Sequence, residues 1–366
     1  MKDWEQIRKN YPLIQKGGYF NTASFGALSL HTIEAQKKHL DDMLLYGNGK
    51  YDEWMASYYG LKVELANYLN TKEQNVTFFP DVSNGINKIC DLLPIDKEVV
   101  LIREDFPSVT LPWITHQFKV KWIEYEDFIN DYLGVLEKEL ADGNKILCLS
   151  WVFYNHGFMI DPIKVGALCK KYNSYFILDA TQGLGAFELD MDKAHIDFMV
   201  ASCFKWFMAG DGVTIGAVSD TILNQYQAHQ SGWNMLKDTE GSMEDKSNYK
   251  SDASRFEIGH VKFQNIKMLS DSFYEMKSME FEAITGRTKL LIKSLRNKFD
   301  ENGIEVLTPA GEAPSSIISI RSNETILKKL KEAKIACTPR KDYVRFAVYF
   351  YNNTEDIDEL IDCLKY

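Results

Sequence analysis

Two side chains carry the strongest chemical signal in this sequence. Asp179 closes the apolar run Ile177-Leu178, and Lys205, 26 residues later (205 − 179), follows the apolar run Phe198-Met199-Val200-Ala201. An ionised carboxylate at a buried strand end is costly unless it is paired or put to use. A lysine in similar surroundings gives up its proton readily and becomes a nucleophilic amine. Together the two can hold an aldehyde cofactor: the amine forms a Schiff base and the carboxylate keeps a pyridine nitrogen protonated, which is how pyridoxal phosphate is bound. The same pair would equally make a salt bridge at the rim of a sheet.

The elements that must position these residues alternate. Strand candidates are Val76–Phe79, Glu98–Ile102, Val120–Tyr125, Ile146–Val152, Tyr175–Ala180, Phe198–Cys203 and Thr214–Ser219, with helical patterns such as Asp161–Tyr172 between them. Several of the strands are apolar throughout, as expected where helices cover both faces of a largely parallel sheet. The fold class is therefore α/β. Ligands in such sheets bind beyond the carboxyl ends of the strands, which singles out Asp81–Gly85, Asp105–Ser108, Tyr154–Gly157, Asp179–Gln182 and Ser202–Lys205. Residues 224–252 are polar and irregular. Helical periodicity then runs from about Ile266 to Phe299. A βαβ-like piece follows (Ile317–Ile320, Thr325–Ala333, Tyr343–Tyr349), and a last helix is capped by Asn353. This predicts a large domain over residues 21–250 and a smaller α+β domain made of 1–20 and 251–366.

Composition excludes other classes. With 42 basic and 52 acidic side chains the net charge is −10, against the clustered Lys/Arg that nucleic acids or anionic membranes require. No apolar run is long enough to span a bilayer, and the charged first ten residues do not read as a secretory signal. The six cysteines form no CxxC pair, and neither they nor the seven histidines show metal-ligand spacing. No metal is expected, a reducing cytoplasm is the expected compartment, and the sequons at Asn75, Asn323 and Asn352 read as chance matches. Ser202-Cys203-Phe204-Lys205 matches the SxxK of penicillin-recognising enzymes, but there the serine opens a helix, whereas here the motif ends an apolar strand. Gly183-Leu184-Gly185 lacks the third glycine of a dinucleotide fingerprint and reads as a tight turn.

Four segments in order resemble the class V aminotransferases, which are fold type I pyridoxal-phosphate enzymes and include cysteine desulfurases, selenocysteine lyases, kynureninase and epimerase-like proteins. They are Tyr19-Phe20-Asn21-Thr22-Ala23-Ser24-Phe25-Gly26, Ser150-Trp151-Val152 through Gly157 and Asp161, the Asp179 and Lys205 stretches, and Val344-Arg345-Phe346 through Asn353-Thr354-Glu355-Asp356-Ile357-Asp358. The resemblance implies a mostly parallel seven-stranded sheet, pyridoxal 5'-phosphate as cofactor, an amino-acid substrate and a homodimer with the site at the subunit interface. It makes Lys205 the Schiff-base lysine and Asp179 the partner of the pyridine nitrogen. Gln182, together with Asn155 or His156, would lie near the phenolic oxygen. Ser202 and the helix entrance Val82-Ser83-Asn84 would bind the phosphate, and Phe106 would stack on the ring where many relatives have histidine. Arg345, with Arg340 and Asn21, would bind the substrate.

The sequence departs from the family pattern at Phe204, where relatives place a histidine, and at Gly259-His260, where they have Gly-Thr. Lys205 and Asp179 serve transamination, racemisation and β-elimination alike. A desulfurase also needs a cysteine on a mobile loop. Cys337, eight residues before Arg345, has no extended loop and reads as strand. The expectation is aminotransferase-type chemistry, with desulfurase, selenocysteine lyase or epimerase as alternatives on the same scaffold. A catalytically silent binding protein is the alternative of another class.

Overall fold

The computed structural model describes residues 2–309, 311 and 313–365. Seven strands form the main sheet: β1 Val76–Phe79, β2 Glu98–Ile102, β3 Lys119–Ile123, β4 Ile146–Ser150, β5 Tyr175–Asp179, β6 Phe198–Ser202 and β7 Thr214–Val218. Their order is β1-β7-β6-β5-β4-β2-β3. The links from β3 through β2, β4 and β5 to β6 are parallel, and β7 alone runs against both of its neighbours. In register, Ser150 lies opposite Asp179, so both end their strands at the carboxyl edge.

The uninterrupted apolar strands are explained by the two cores they feed. Val99, Leu101, Cys148, Ile177 and Val200 point to one, where helices Val82–Leu92 and Pro107–Thr115 supply Ile86, Ile89 and Trp113. Val100, Leu147, Leu149, Leu178 and Met199 point to the other. Each fully buried aliphatic side chain is worth about 1.5–3 kcal/mol, which makes a double-faced sheet the most stabilising use of such sequences. Helix Val82–Leu92 is started by Asp81, whose carboxylate accepts from the Asn84 N–H at 2.8 Å. Gly85 lets the helix press on β6, since a Cβ there would lie 2.6 Å from Val200 Cγ1.

Beyond residue 224 the structure corrects the sequence expectation in two places. The helical stretch is two helices, Phe263–Ser278 and Phe281–Glu301, because Glu280 adopts φ 63° and reverses the chain between them. Hydrophobic periodicity continues across the break, so the turn leaves no gap in the pattern. The C-terminal piece is not βαβ. Strands β8 Ile317–Arg321, β9 Thr338–Pro339 and β10 Tyr343–Ala347 form an antiparallel sheet in the order β8-β10-β9. The two-residue β9, too short to show an alternating pattern, turns the chain back before β10. Residues 224–252 are irregular as expected, apart from the helix to Gln225 and short 3-10 turns. Asn353 caps the last helix in a reciprocal capping box with Asp356.

The first residues of the chain are bound into this C-terminal sheet. Arg8 grips Asp356 with two nitrogens at 2.7 and 2.6 Å, and the Phe20 backbone donates to Ala336 and accepts from Ala347. Among the described residues no helix is long and apolar enough to cross a membrane.

Candidate active site

The carboxyl edge of the main sheet opens into a cavity of about 210 Å³, walled by Asp81, Val82, Ser83, Phe106, Ser108, Ser150, Tyr154, Asp179, Ser202 and Lys205, among others. Lys205 sits on the turn that follows β6, with its ammonium 5.8 Å from the Phe106 ring centre and 5.5 Å from that of Phe204. This turn does not open a helix, which removes the SxxK reading. Burial pushes the lysine down to about 8; Asp179 opposes the shift and Arg345 adds to it. Asp179 is buried, and burial raises its carboxyl above the ordinary range against the hydrogen bonds of Thr181, whose N–H donates at 2.9 Å. An amine of lowered proton affinity and a buried carboxyl thus line one small chamber.

A second buried acid lies behind the first. Asp105 accepts from the Ser150 hydroxyl at 2.6 Å, the Ser150 N–H at 2.9 Å and the Phe106 N–H at 2.7 Å. Burial nevertheless pushes it up to about 7, with the neighbouring Asp179 contributing. Its hydrogen bonds tie the end of β4 to the residue that carries the Phe106 ring.

Arg345 approaches from β10. It is 2% exposed, and its guanidinium donates to the Tyr154 carbonyl at 2.6 Å, Ser24 Oγ at 2.8 Å and Thr338 Oγ1 at 3.2 Å, while its Nε finds no partner among the described residues. Burial, with Arg340 nearby, brings it down to about 10. Segment 21–26 lies across the turn that carries Lys205: the Gly26 N–H donates to the Phe204 carbonyl at 2.8 Å, and the Gln182 amide bridges the Ala23 carbonyl and the Trp206 indole.

The cavity fits a phosphate-bearing pyridine aldehyde. The first turn of helix Val82–Leu92 lines it with Val82 and Ser83, as do Ser108, whose hydroxyl lies 2.8 Å from that of Ser83, and Ser202, a setting suited to a phosphate. A larger cleft of about 710 Å³, at the opposite edge of the sheet between Asn75, His195 and Asp197, holds no amine–carboxyl pair of this kind. Chemistry, not size, selects the smaller one.

A model of the class-V aminotransferases matches residues 51–360. The chain belongs to that family. The uncharacterized aminotransferase YcbU of Bacillus subtilis is 23% identical over 98% of this chain and 96% of its own length. A probable cysteine desulfurase of Borreliella burgdorferi is 26% identical over 82% and 78%. The fold is that of the apo cysteine desulfurase from Thermococcus onnurineus, at a TM-score of 0.87 and 19% identity over 100% of this chain and 98% of that one. As a class-V aminotransferase the protein is a pyridoxal-phosphate-dependent enzyme.

Of the residues expected at the site, Lys205, Asp179, Gln182, Ser202, Val82, Ser83 and Phe106 line the cavity together. Asn84 is folded back on Asp81, its amide 2.7 Å from the carboxylate. Asn155 donates to the Glu104 carbonyl, and His156 stacks on Tyr343 at 4.4 Å with burial lowering its proton affinity; neither is in the cavity wall. Asn21 accepts from Thr338 at 2.5 Å and so acts on Arg345's partner. Cys337 lies just before β9, half-buried near Cys363, where burial pushes its thiol up to about 11. Sequence reasoning missed Asp105, Ser24 and Thr338 as individual site residues. The strand-end rule did mark the window containing Asp105, and the N-terminal resemblance contains Ser24, but nothing marked Thr338.

Proposed function

We propose that this enzyme is an aminotransferase-type catalyst acting on the Cα-amino group of an amino acid. The observation that carries the reading is Lys205, an amine held near neutrality at about 8 in the same chamber as the buried Asp179. Val82, Ser83, Ser108 and Ser202 would hold the cofactor phosphate, Phe106 the ring face and Asp179 the ring nitrogen. Bound there, pyridoxal 5'-phosphate supplies an electron sink for the bond broken at Cα. Arg345 fixes the substrate carboxylate, with Ser24 and Thr338 holding its guanidinium in place. Lys205 Nζ takes the Cα proton and returns it, a role that needs an amine unprotonated near neutral pH. Thr181 and the apolar surround keep Asp179 fixed and dry.

Among the described residues the cavity wall contains no cysteine and no histidine. A desulfurase needs a thiolate that reaches the substrate sulfur, and Cys337 is half-buried with a thiol that resists ionisation, which favours aminotransfer over desulfuration. Epimerisation by Lys205 alone stays chemically open to the same residues. The presence of both Lys205 and Asp179 speaks against a silent binding protein.

The reading extends to a homodimer with the site at the subunit interface. Leu44 and Leu45 on helix Leu30–Tyr46 are 82% and 69% exposed, and Phe106 in the cavity wall is partly exposed, as is Phe25 beside Phe204; both regions suit a covering partner. It includes a cytoplasmic setting, supported by six free cysteines, and division into a domain of residues 21–250 and one of 1–20 with 251–366. The purified protein should show the visible absorbance of a lysine-bound cofactor, lost on borohydride reduction and absent from Lys205→Ala. Amino acids should shift that band to the pyridoxamine form. A protein that remains colourless with added pyridoxal phosphate refutes the reading, and a band that no amino acid shifts to the pyridoxamine form refutes transamination.

A further inference from the structure

We propose that Arg340 is a second anion-binding residue beside Arg345, and that the substrate is an amino dicarboxylic acid whose far carboxylate Arg340 takes. The inference rests on the proposed amino-acid chemistry at Lys205 and names the substrate class for that site. Its ground is the register of the β9–β10 hairpin. Arg345 lies opposite Thr338 and Val344 opposite Pro339, while the Arg340 N–H closes on the Tyr343 carbonyl at 2.8 Å. Residues two apart on a strand share a face. Thr338 and Arg340 on one arm, and Tyr343 and Arg345 on the other, therefore face the same way, with Val344 and Phe346 turned into the core behind them. The two arginines form a diagonal cross-strand pair, whose Cβ atoms in such geometry stand about 7–8 Å apart. Two guanidinium groups extending from one face at that separation can be bridged by a four- or five-carbon diacid.

Charge makes the same point. Among the described residues, neither guanidinium has a carboxylate within ion-pair distance. Arg345 has only neutral partners, and Arg340 donates to the Pro339 carbonyl at 3.3 Å and hydrogen-bonds the Tyr343 phenol. Burial lowers the proton affinity of both Arg345 and Lys205; Arg340 adds to the effect at Arg345 and Arg345 to that at Lys205, where Asp179 opposes it. One α-carboxylate neutralises Arg345 and leaves Arg340 unanswered. A second carboxylate on the same molecule completes the set, and bidentate recognition of carboxylate is the task for which guanidinium is best shaped.

The test uses unreactive acids on the holoenzyme, with calorimetry as the readout. Glutarate should bind at least about 10-fold tighter than butyrate, and Arg340→Gln should weaken glutarate by about 10- to 100-fold while lowering the glutarate-to-butyrate ratio to near one. Arg340→Lys should restore part of that ratio, and Arg345→Gln should weaken both acids. Cofactor absorbance and melting temperature, unchanged in Arg340→Gln, exclude misfolding as the cause. Equal affinity of the wild type for the two acids, or an equal loss for both in Arg340→Gln, overturns the assignment and leaves the Lys205 chemistry standing. If the protein takes up no cofactor, the Lys205 reading fails and this assignment falls with it.

Discussion

Gly26→Ala gives the sharpest test of how the N-terminal segment bears on the proposed reacting amine of Lys205. A Cβ at position 26 would stand 2.0 Å from the Lys205 carbonyl oxygen and 2.8 Å from Met208 Cγ. An unstrained carbon–oxygen approach is about 3.3 Å, so one backbone must retreat from the other by about 1.3 Å. The obstacle is main chain, which no rotamer change can move. The Gly26–Phe204 hydrogen bond, 2.8 Å long, ties the same two segments and would be stretched by the same motion. Overpacking of this kind costs about 1–3 kcal/mol, and an error of about 1 Å in a reacting group costs on the order of 100-fold in rate. The assay is single-turnover conversion of the holoenzyme by its best amino acid, read from the visible band, with thermal melting alongside. Gly286→Ala is the control: it lies in helix Phe281–Glu301 with nothing within 4 Å of the added carbon, and should leave rate and melting unchanged or slightly raise stability. A Gly26→Ala enzyme that turns over within about threefold of wild type and melts at the same temperature would refute the packing argument.

Two further outcomes follow from the buried groups. The folded-state value of Lys205, about 8, lies below the 10.5 of a free lysine, so the folded apoprotein binds fewer protons than the unfolded chain between those values. Stability of the apoprotein should therefore rise with pH across that window. Lys205→Met, which removes the buried cation, should stabilise the apoprotein at pH 7 by about 1–2 kcal/mol, with the gain vanishing above the window; chemical denaturation of the two at several pH values measures it. An unchanged or larger gain at high pH would contradict the burial argument. Cys337→Ala should leave amino-acid conversion within about twofold of wild type, since the thiol is half-buried outside the cavity; a large loss with cysteine as substrate would restore the desulfurase reading.

Lys205 and Asp179 were legible in the sequence because each ends an apolar run, and a strand end is a local pattern. The same holds for Phe106 and Ser202, which sit one or a few residues beyond β2 and at the end of β6. The surroundings of Arg345 were not legible. Ser24, Tyr154 and Thr338 come together around it only through the register of β10 with β9 and the docking of residues 19–26, and no spacing along the chain encodes that. Asn84 and His156 illustrate the reverse case. Their positions along the chain matched the family, but a helix cap claims the first and an aromatic contact with Tyr343 the second. The chain reversal at Glu280 escaped notice for a physical reason: buried Met279 and Ile284 continue the apolar pattern on both sides of a turn made by backbone conformation alone.

The stitching of the first residues into the last sheet has a consequence for biosynthesis. Ser24 and its arginine are separated by 321 positions, and Arg8 and Asp356 by 348. At roughly 5–20 residues per second on the ribosome, Ser24 emerges about 16–64 s before the strand that completes its surroundings is made. During that interval Phe20 and Tyr11 lack the C-terminal rings they pack against, Phe346, Phe350 and Tyr351. The large sheet, whose last strand ends at Val218, can assemble on the nascent chain well before the surroundings of Arg345 are made. A chain that stops between β7 and β10 therefore has every strand of the large sheet but lacks Arg345.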